Sequence, residues 1–427
     1  MSKLRSIMAR TDCRELTSAG ICDIITPKLE VLELASRRRI GDEMLYKLAS
    51  TAGALTSLDL SSGWQDAAPL SAGALLELTK GCPHIATFRA AYATVSCDFI
   101  TAVGEQWGSR GGLTHLDLSF CKSVTEAIPP DSLERHHCRF CEALAQTLGR
   151  CVQLTTLALA GFGAMVPSSG WETDRSPPSD AVIEAVLTHC LQLTDLNCSE
   201  TDVGEIAFVT GLLTQHHQRL ESSFGESGSI PLKVVDLSGC RRLGGGTFAA
   251  LVAHCPELRD LNLGYCCNEE HMQVAIAEER GRVRAAAMAD AASLAAGQRR
   301  GPLPMQARVI TDDDLDLLRT ARCAPTLEAL RLGGMGSKVA REWPTVGTIS
   351  AFGNKGLEAL AGCLPKLLRL DLSHSCVSNV TVVKLGAAME STEGGLEAVN
   401  VVGAKCTREL HRLLREAGAT RTRVFGV

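Results

Sequence analysis

The stretch His254–Cys266 reads HCPELRDLNLGYC, and it decides the fold of this chain. It contains the spacing L-x-x-L-x-L at Leu258, Leu261 and Leu263, with a cysteine before it and another after it. Close copies recur along nearly the whole sequence. Repeats of this kind stack on their neighbours and do not surround one globular core, so we expect an elongated repeat array.

Eleven copies of the spacing are present, and the shortest intervals between them are 26 to 30 residues. Side chains alternate along a strand, so each copy predicts a short strand whose leucines point inward. The segments between copies, such as residues 248–253 and 356–361, have the periodicity of helices. Each repeat is therefore predicted to be strand, turn, helix and turn. The cores begin at Leu29, Leu55, Ile85, Leu113, Leu154, Leu193, Leu232, Leu258, Leu327, Leu367 and Leu396.

Composition limits the class of protein. The 427 residues are 45% hydrophobic and 21% charged, as in ordinary folded proteins. The net charge of −5 argues against a general nucleic-acid binder, whose affinity comes mainly from clustered Lys and Arg. Neither a signal-peptide core nor an apolar run of about 18 residues is found, so secretion and membrane spanning are not expected. The 18 cysteines are then predicted to be reduced, in the cytoplasm. The short basic start at residues 1–10 leaves organelle targeting as the alternative.

A cysteine precedes several strand cores by three or four residues, and Asp-Leu-Ser ends several others. These elements resemble the cysteine-containing leucine-rich repeats, a family best known from substrate-receptor subunits of F-box ubiquitin ligases. The resemblance covers roughly residues 29–427. It implies an α/β solenoid, a right-handed horseshoe with a parallel concave sheet and helices on the convex side. The elements that carry it are Cys82-Pro-His-Ile85, Cys151-Val-Gln-Leu154, Cys190-Leu-Gln-Leu193, Cys255-Pro-Glu-Leu258, Cys363-Leu-Pro-Lys-Leu367, Asp59, Asp117, Asp236 and Asp371.

The resemblance includes the repeats and does not include the F-box. An F-box needs a longer three-helix segment than the 28 residues that precede the first core. We therefore expect a non-catalytic protein–protein interaction scaffold, a structural subunit that contacts several proteins of one large assembly. Family analogy suggests a cytoskeletal or ciliary assembly such as the axoneme. The alternative is the substrate-receptor subunit of an F-box-type ligase, with residues 1–28 binding the ligase adaptor.

The predicted organisation is an N-terminal cap at residues 1–28 and a repeat domain at residues 29–427. In the cap, Leu4, Ile7 and Met8 have helical spacing. Five insertions interrupt the repeats, and four of them lie between a strand and the following helix, along one rim. Insertions that share a rim often form the binding face, although loop growth without function is the alternative. The insertions are near residues 122–139, 162–178, 216–231, 268–308 and 334–354.

Three tryptophans, Trp64, Trp171 and Trp343, fall on this rim in polar loops. Tryptophan is enriched among the residues that dominate binding energy, so these three are candidate interface anchors. Alternatively, each folds back and covers apolar surface of its own repeat. Within the longest insertion, residues 269–300 are rich in Ala, Glu and Arg and predict a projecting helix that becomes ordered against a partner.

The residue between the last two leucines of each core is predicted to face the concave side. This column is acidic and amide-rich, with Arg89 and Arg331 as basic interruptions. A partner presenting Lys or Arg would suit Asp117 and Asp236, and these four residues are candidate protein-binding residues. The alternative is that the aspartates belong to the repeat pattern and serve the fold. The column is Glu33, Asp59, Arg89, Asp117, Ala158, Asn197, Asp236, Asn262, Arg331, Asp371 and Asn400.

The sequence matches the motifs of metal, phosphate and catalytic sites only weakly. Residues 136–141 combine two histidines with C-x-x-C spacing, which can ligate zinc, but no second ligand pair follows at a definite distance. The acidic run from Thr311 to Asp316 predicts a helix cap in preference to a metal site. Residues 333–338 miss the phosphate-loop spacing, and no nucleophile has an assignable base. We predict no catalytic residue, cofactor, metal or small-molecule substrate.

Overall fold

The structure is a computed structural model. It describes residues 4–9, 16–34, 40–61, 70–110, 112–123, 130–162, 178–222, 228–240, 242–266, 310–333, 354–360, 363–373, 375, 377–390, 395–404 and 406–426. The chain divides into two compact units. Unit 1 is Met1–Val203 with Thr210–Asp236, and unit 2 is Gly204–Val209 with Leu237–Val427.

Each of the eleven predicted cores contains a strand. The described strands form an open parallel sheet of 13 strands whose order follows the chain, which confirms the leucine-rich-repeat fold class. A separate two-stranded sheet pairs β5 (Thr94–Val95) with β7 (Lys122–Ser123). The strands of the main sheet are β1 Ser6–Ala9, β2 Val31–Leu34, β3 Ser57–Asp59, β4 Thr87–Arg89, β6 His115–Asp117, β8 Thr156–Ala158, β9 Asp195–Asn197, β10 Val234–Asp236, β11 Asp260–Asn262, β12 Ala329–Arg331, β13 Arg369–Asp371, β14 Ala398–Asn400 and β15 Arg423–Phe425.

The first and last strands of the main sheet lie outside the predicted cores. Strand β1 occupies the segment where spacing predicts a helix, and that prediction is wrong: Ser6 pairs with Val31 and Ala9 with Leu34. Strand β15 pairs with β14 in the same parallel sense. Neither strand has the L-x-x-L-x-L spacing. A strand at the end of an array packs against one repeat only, so it needs fewer large apolar residues.

Helices follow most strands, as the repeat pattern predicts. A π-helical turn spans Val103–Gly108 and a 3-10 turn spans Leu317–Arg319. The helices are α1 Ser18–Cys22, α2 Asp42–Thr51, α3 Ala72–Gly81, α4 Cys97–Ala102, α5 Pro130–Arg150, α6 Pro178–His189, α7 Glu205–Ser222, α8 Gly245–His254, α9 Asp312–Asp316, α10 Asn354–Leu360, α11 Asn379–Glu390 and α12 Leu410–Glu416.

The core lies beneath the strands, where the central apolar residue of each core is buried. Leu32 of β2 is fully buried, and its neighbours in the sequence are partly exposed. Phe88 takes the same position in β4, where its ring centroid is 5.1 Å from that of Trp107. Trp107 is fully buried, and its Nε1 donates to the Cys82 carbonyl at 2.9 Å. The third repeat, whose core begins at Ile85, therefore fills its layer with aromatic rings where other repeats use leucine.

The N-termini of neighbouring helices are linked by side chains. The first residue of a helix is repeatedly polar, and it accepts an N–H at or near the start of the next helix. In unit 1, Asp42 of α2 accepts the amide of Ser71, the N-cap of α3, at 2.8 Å. Such bonds satisfy amides that a helix start leaves without an intrahelical partner. The other pairs are Ser18 with Gly41, Glu205 with Gly244, Asp312 with Gly356, and Asn379 with Thr407.

The C-termini of neighbouring helices are linked by thiols. Cys82, the C-cap of α3, directs its Sγ to the carbonyls of Leu48 and Ala52 at 3.7 and 3.5 Å. These carbonyls belong to the last turn of α2, whose acceptors have few partners within their own helix. Cys190 makes the same kind of contact with the carbonyls of Leu148 and Cys151. The repeat cysteine is therefore both an apolar packing residue and a weak donor.

The third residue after many strands has a left-handed backbone. Tyr92 and Phe120 adopt positive φ there, with rings stacked 4.9 Å apart. The amide of Tyr92 donates to the carbonyl of Ser119 in the next repeat, so the loops are hydrogen-bonded beyond the ends of the strands. Other residues with positive φ at this position are Gly161, Glu200, Gly239, Tyr265 and Gly403.

Two of the predicted insertions contain helix. Residues 122–139 include the start of α5 at Pro130, and residues 216–231 include the end of α7 at Ser222. Residues 163–177, 267–309 and 334–353 lie outside the described residues, and most of the other three insertions falls there.

Candidate binding face on the sheet

Parallel pairing in register brings equivalent residues of successive repeats together. Each core strand except β12 has a buried central residue between two that are partly or fully exposed, and in β12 the first of these, Ala329, is buried as well. Two rows of side chains therefore form the outer face of the sheet. The first row of unit 1 is Ser6, Val31, Ser57, Thr87, His115, Thr156, Asp195 and Val234, and the second is Met8, Glu33, Asp59, Arg89, Asp117, Ala158, Asn197 and Asp236. In unit 2 the first row is Asp260, Ala329, Arg369, Ala398 and Arg423, and the second is Asn262, Arg331, Asp371, Asn400 and Phe425.

The second row is the column that the sequence predicts. In unit 1, Arg89 is paired in register with Asp59 on one side and Asp117 on the other. Its guanidinium lies 3.7 Å from Asp59 Oδ2, and the Arg89 side chain as a whole is 47% exposed. Asp236 occupies the same row on β10. Three of the four predicted face residues therefore belong to one surface of unit 1, and its charge is mainly negative.

Several second-row residues also shape the loop after their strand. Asp117 Oδ1 accepts the amide of Ser119, two residues on, at 2.9 Å. This bond holds the turn in an Asx conformation and explains the aspartate in Asp-Leu-Ser. The Oδ1 atom of Asp117 therefore serves the fold, as one of the two interpretations of the aspartates holds. The other carboxylate oxygen can contact a partner on the face. The same bond is made by Asp59, Asn197, Asn262, Asp371 and Asn400.

The first row of unit 1 adds His115 and Asp195. His115 Nδ1 lies 2.8 Å from the hydroxyl of Thr114. Burial, and secondly the positive charge of Arg89, lower the pKa of His115, and Asp195 acts in the opposite direction. The imidazole is therefore mainly neutral near pH 7. Because His115 carries little positive charge, it does not neutralise the carboxylates that make this face negative.

Unit 2 presents arginines around one aspartate. Arg331, a predicted face residue, donates to Asp260 Oδ2 at 2.9 Å, and Arg369 lies 3.7 Å from the same oxygen. The Asp260 side chain is 19% exposed, and its Oδ1 has no hydrogen-bond donor among the described residues. Two guanidiniums thus share one carboxylate, which fixes Arg331 and leaves Arg369 only loosely paired.

Arg369 and Arg423 are separated in the first row by Ala398 alone. Arg369 also has Ala329 on its other side, so small side chains surround its guanidinium stem. The Arg369 side chain is 55% exposed, and Arg423 is exposed as well. Phe425, two residues beyond Arg423 on the same strand, is 54% exposed. The face of unit 2 thus combines arginines with an exposed aromatic ring.

Sequence reasoning missed the first row. Asp260, Arg369 and His115 stand two residues before a predicted column residue, and side chains two apart on a strand share a face. The pattern that identified the second row was therefore sufficient for these three as well. Arg423 and Phe425 gave no such signal, because β15 has no leucine core.

The rim anchors stay predictions. Trp64, Trp171 and Trp343 all lie outside the described residues. The remaining tryptophan, Trp107, belongs to the core.

The histidine and cysteine motif at residues 136–141 is part of helix α5. Cys141 is buried among the apolar residues of the core, and the side chains at positions 136–138 are outside the described part of the chain. Among the residues that the structure describes, no three His, Cys, Asp or Glu side chains are arranged to hold a metal ion.

The repeat cysteines are poor nucleophiles. Burial raises the pKa of the Cys82, Cys151 and Cys190 thiols to about 12. The thiolate is the reactive form, and very little of it exists near pH 7 at such values. None of the cysteines in the described segments forms a disulfide.

No described helix is both long enough and apolar enough to span a lipid bilayer.

No family model and no curated protein matches this chain. Among solved structures, a chain of the Rad7 and Elc1 complex in yeast is similar with 15% identity and a TM-score of 0.47, over 97% of this chain and 85% of that one. An internalin (inlF) from Listeria monocytogenes gives 12% identity and 0.44, over 96% and 83%. The TLR13–ssRNA13 complex gives 14% and 0.40, over 90% of this chain and 40% of that one. The fold assignment above rests on the strand pairing of the chain itself.

Proposed function

We propose that this chain is a non-catalytic protein–protein interaction scaffold that binds its partners on the outer face of the sheet. The observation that carries the proposal is the pair of side-chain rows. Charged and amide side chains stand in register along both units, partly exposed, on strands fixed by hydrogen bonds. A rigid polar surface built on strands positions binding groups more accurately than loops do. The fold alone would support many functions, so the proposal depends on this face.

The high thiol pKa values support the non-catalytic part of the proposal. Cysteine is the most abundant strong nucleophile in this sequence, and the buried thiols of the repeats are held protonated. The side chains of the described face that carry charge are mainly engaged with one another or with loop amides. Both features suit binding better than catalysis.

The proposal extends to one large assembly with several protein partners, in the cytoplasm and of cytoskeletal or ciliary kind. The support for the location is the resemblance of the repeats and the absence of disulfides among the described cysteines. Proteins, and not nucleic acids, are the proposed partners because the net charge is −5.

The proposal can be tested by cross-linking the chain to its partners in cells and mapping the cross-links by mass spectrometry. We expect partners to cross-link near β4, β6, β12 and β13. The double variant Arg89→Glu/Arg331→Glu should lose these partners. A matched control is Arg319→Glu/Arg412→Glu, which makes the same charge change on exposed residues outside the two rows. A partner set that is unchanged in the face variant would contradict the proposal.

The ligase alternative has its own test. It requires residues 1–28 to bind the ligase adaptor, whereas Ser6–Ala9 of that segment is strand β1, paired with β2. Purified adaptor and this chain should therefore not form a complex. A stable complex in size-exclusion chromatography would favour the alternative.

A further inference from the structure

We infer that Arg369 and Arg423 form a binding site for the carboxylates of an acidic, extended protein segment, seated above Ala398. The inference rests on the proposed function, because it names the kind of partner that one part of the sheet face accepts. It concerns unit 2 alone.

The register sets the geometry of the site. Arg369, Ala398 and Arg423 occupy the same position on three successive parallel strands. Adjacent strands are about 4.8 Å apart, so the two arginine Cα atoms are about 10 Å apart with a methyl group between them. A guanidinium binds a carboxylate with two parallel N–H donors, so each arginine can hold one carboxylate above the row.

Both guanidiniums are available. Arg423 has no carboxylate within ion-pairing distance among the described residues, and Arg369 has only Asp260, at 3.7 Å. That aspartate already accepts the closer bond from Arg331, at 2.9 Å. A partner carboxylate therefore has little internal competition for Arg369.

Nearby carboxylates limit where the partner can lie. Asp371, in the second row, uses Oδ1 to accept the amide of Ser373. Glu397, directly before β14, is exposed, and Glu390 lies 4.0 Å from Arg421. The one acidic group of the first row beside the site is Asp260, two strands from Arg369 and ion-paired with Arg331. The others lie outside this row, so the partner should run along the row, across the strands, from Arg369 toward Arg423.

Apolar surface adjoins the arginines. Phe425 is 54% exposed and Val402 is 42% exposed. Arginine and aromatic residues are enriched at the centres of protein interfaces, where they dominate binding energy. The segment that fits is in the polyproline II conformation, where residues three apart share one side and lie about 9 Å apart. It therefore has acidic residues three apart, with an apolar residue beside them.

The test uses a fluorescent peptide with Glu at every third position and Ser or Val between, titrated with the full chain at low salt and followed by anisotropy. We expect Arg369→Glu/Arg423→Glu to weaken binding about tenfold or more, a change in affinity that anisotropy resolves readily. Arg319→Glu/Arg412→Glu is the matched control, because these helix arginines are 62% and 60% exposed. The affinity of this variant for the peptide should stay within about twofold of the wild-type value. A Gln version of the peptide should bind weakly.

Several outcomes would overturn the inference. These are equal losses in the two double variants, equal binding of the Gln peptide, or tighter binding of a single-stranded DNA oligonucleotide through the same arginines. If circular dichroism shows that the double variant is unfolded, the single changes Arg369→Ala and Arg423→Ala replace it. Failure of peptide binding, with partners still cross-linked to the sheet face, would reject this site and leave the proposed function standing.

Discussion

Gly161 shows how strongly one residue position is constrained. It lies three residues after β8 with φ of 60°, and a Cβ there would overlap the ring of Phe120. The preceding repeats place Tyr92 and Phe120 at the same position, and their stacked rings end against the glycine. A repeat with a side chain at this point would have no room for that stack.

Gly161→Ala should lower the free energy of unfolding by about 2–4 kcal/mol, since it adds a steric clash to an unfavourable φ. Chemical denaturation measures the loss. The control is Gly418→Ala, where φ is 85° and no atom lies within 4 Å of the added Cβ, so the cost should be about 1 kcal/mol. Equal costs at the two sites would show that the Phe120 contact is unimportant.

The buried thiols make stability depend on pH above neutrality. Burial raises the pKa of Cys82 from 9.0 to about 12. A group whose pKa is higher in the folded state stabilises the protein fully below its unfolded pKa and loses that contribution as pH rises. The relevant window is therefore pH 9 to about 12.

We expect the free energy of unfolding to fall between pH 9 and pH 11, and Cys82→Ala to reduce that slope relative to wild type. Denaturant unfolding at a series of pH values measures it. Cys22→Ala is the comparison, because Cys22 is only partly buried. The prediction fails if the wild-type and Cys82→Ala slopes coincide.

At the scale of the element, helices are connected at their N-termini by side chains from the preceding helix. Glu205, the first residue of α7, is 3% exposed, and its Oε2 accepts the amides of Gly244 and Thr247, both at 2.9 Å. Thr247 also places its hydroxyl 3.3 Å from the same oxygen. One carboxylate oxygen thus caps helix α8, which has no cap from its own N-cap glycine.

Glu205→Ala should destabilise unit 2 by about 2–3 kcal/mol, because it leaves buried amides without an acceptor. Hydrogen exchange at Thr247 should accelerate in parallel. Glu221→Ala, on the exposed end of the same helix, should cost less than about 0.5 kcal/mol. Unchanged exchange at Thr247 would mean that water or another group replaces the carboxylate.

At the scale of the whole molecule, each repeat is stabilised by its neighbours in the chain. Strand β15 covers β14: the amide of Val401 donates to the carbonyl of Phe425 at 2.9 Å, and that of Arg423 donates to Glu397 at 2.8 Å. In an array held together by nearest-neighbour contacts, removal of a terminal strand should act mainly on the strand beside it.

Deletion of residues 420–427 should therefore accelerate hydrogen exchange in β14 and leave β2–β9 unchanged. Mass spectrometry of exchanged peptides measures both regions in one experiment. Deletion of residue 427 alone is the control and should change neither. Accelerated exchange throughout unit 1 would show that the chain unfolds as one cooperative body.

Part of the candidate face was readable from the sequence. Arg89, Asp117, Asp236 and Arg331 could be placed in one row because the leucine spacing gives the strand register directly. The role of Asp260 could not, since its guanidinium partner Arg331 follows after a gap of 71 residues in the chain. The three rim tryptophans are still predictions.

The sequence by itself determined the eleven leucine cores, their strands, the helices between them and the outward row, because hydrophobic periodicity is a local property. Only the tertiary structure decided that residues 6–9 form a strand and that Arg423 and Phe425 extend the face. It alone assigned Glu205 and Asp312 to cap helices other than their own. These features depend on hydrogen bonds and packing between segments far apart in the chain. The spacing of residues within one segment does not reveal such contacts.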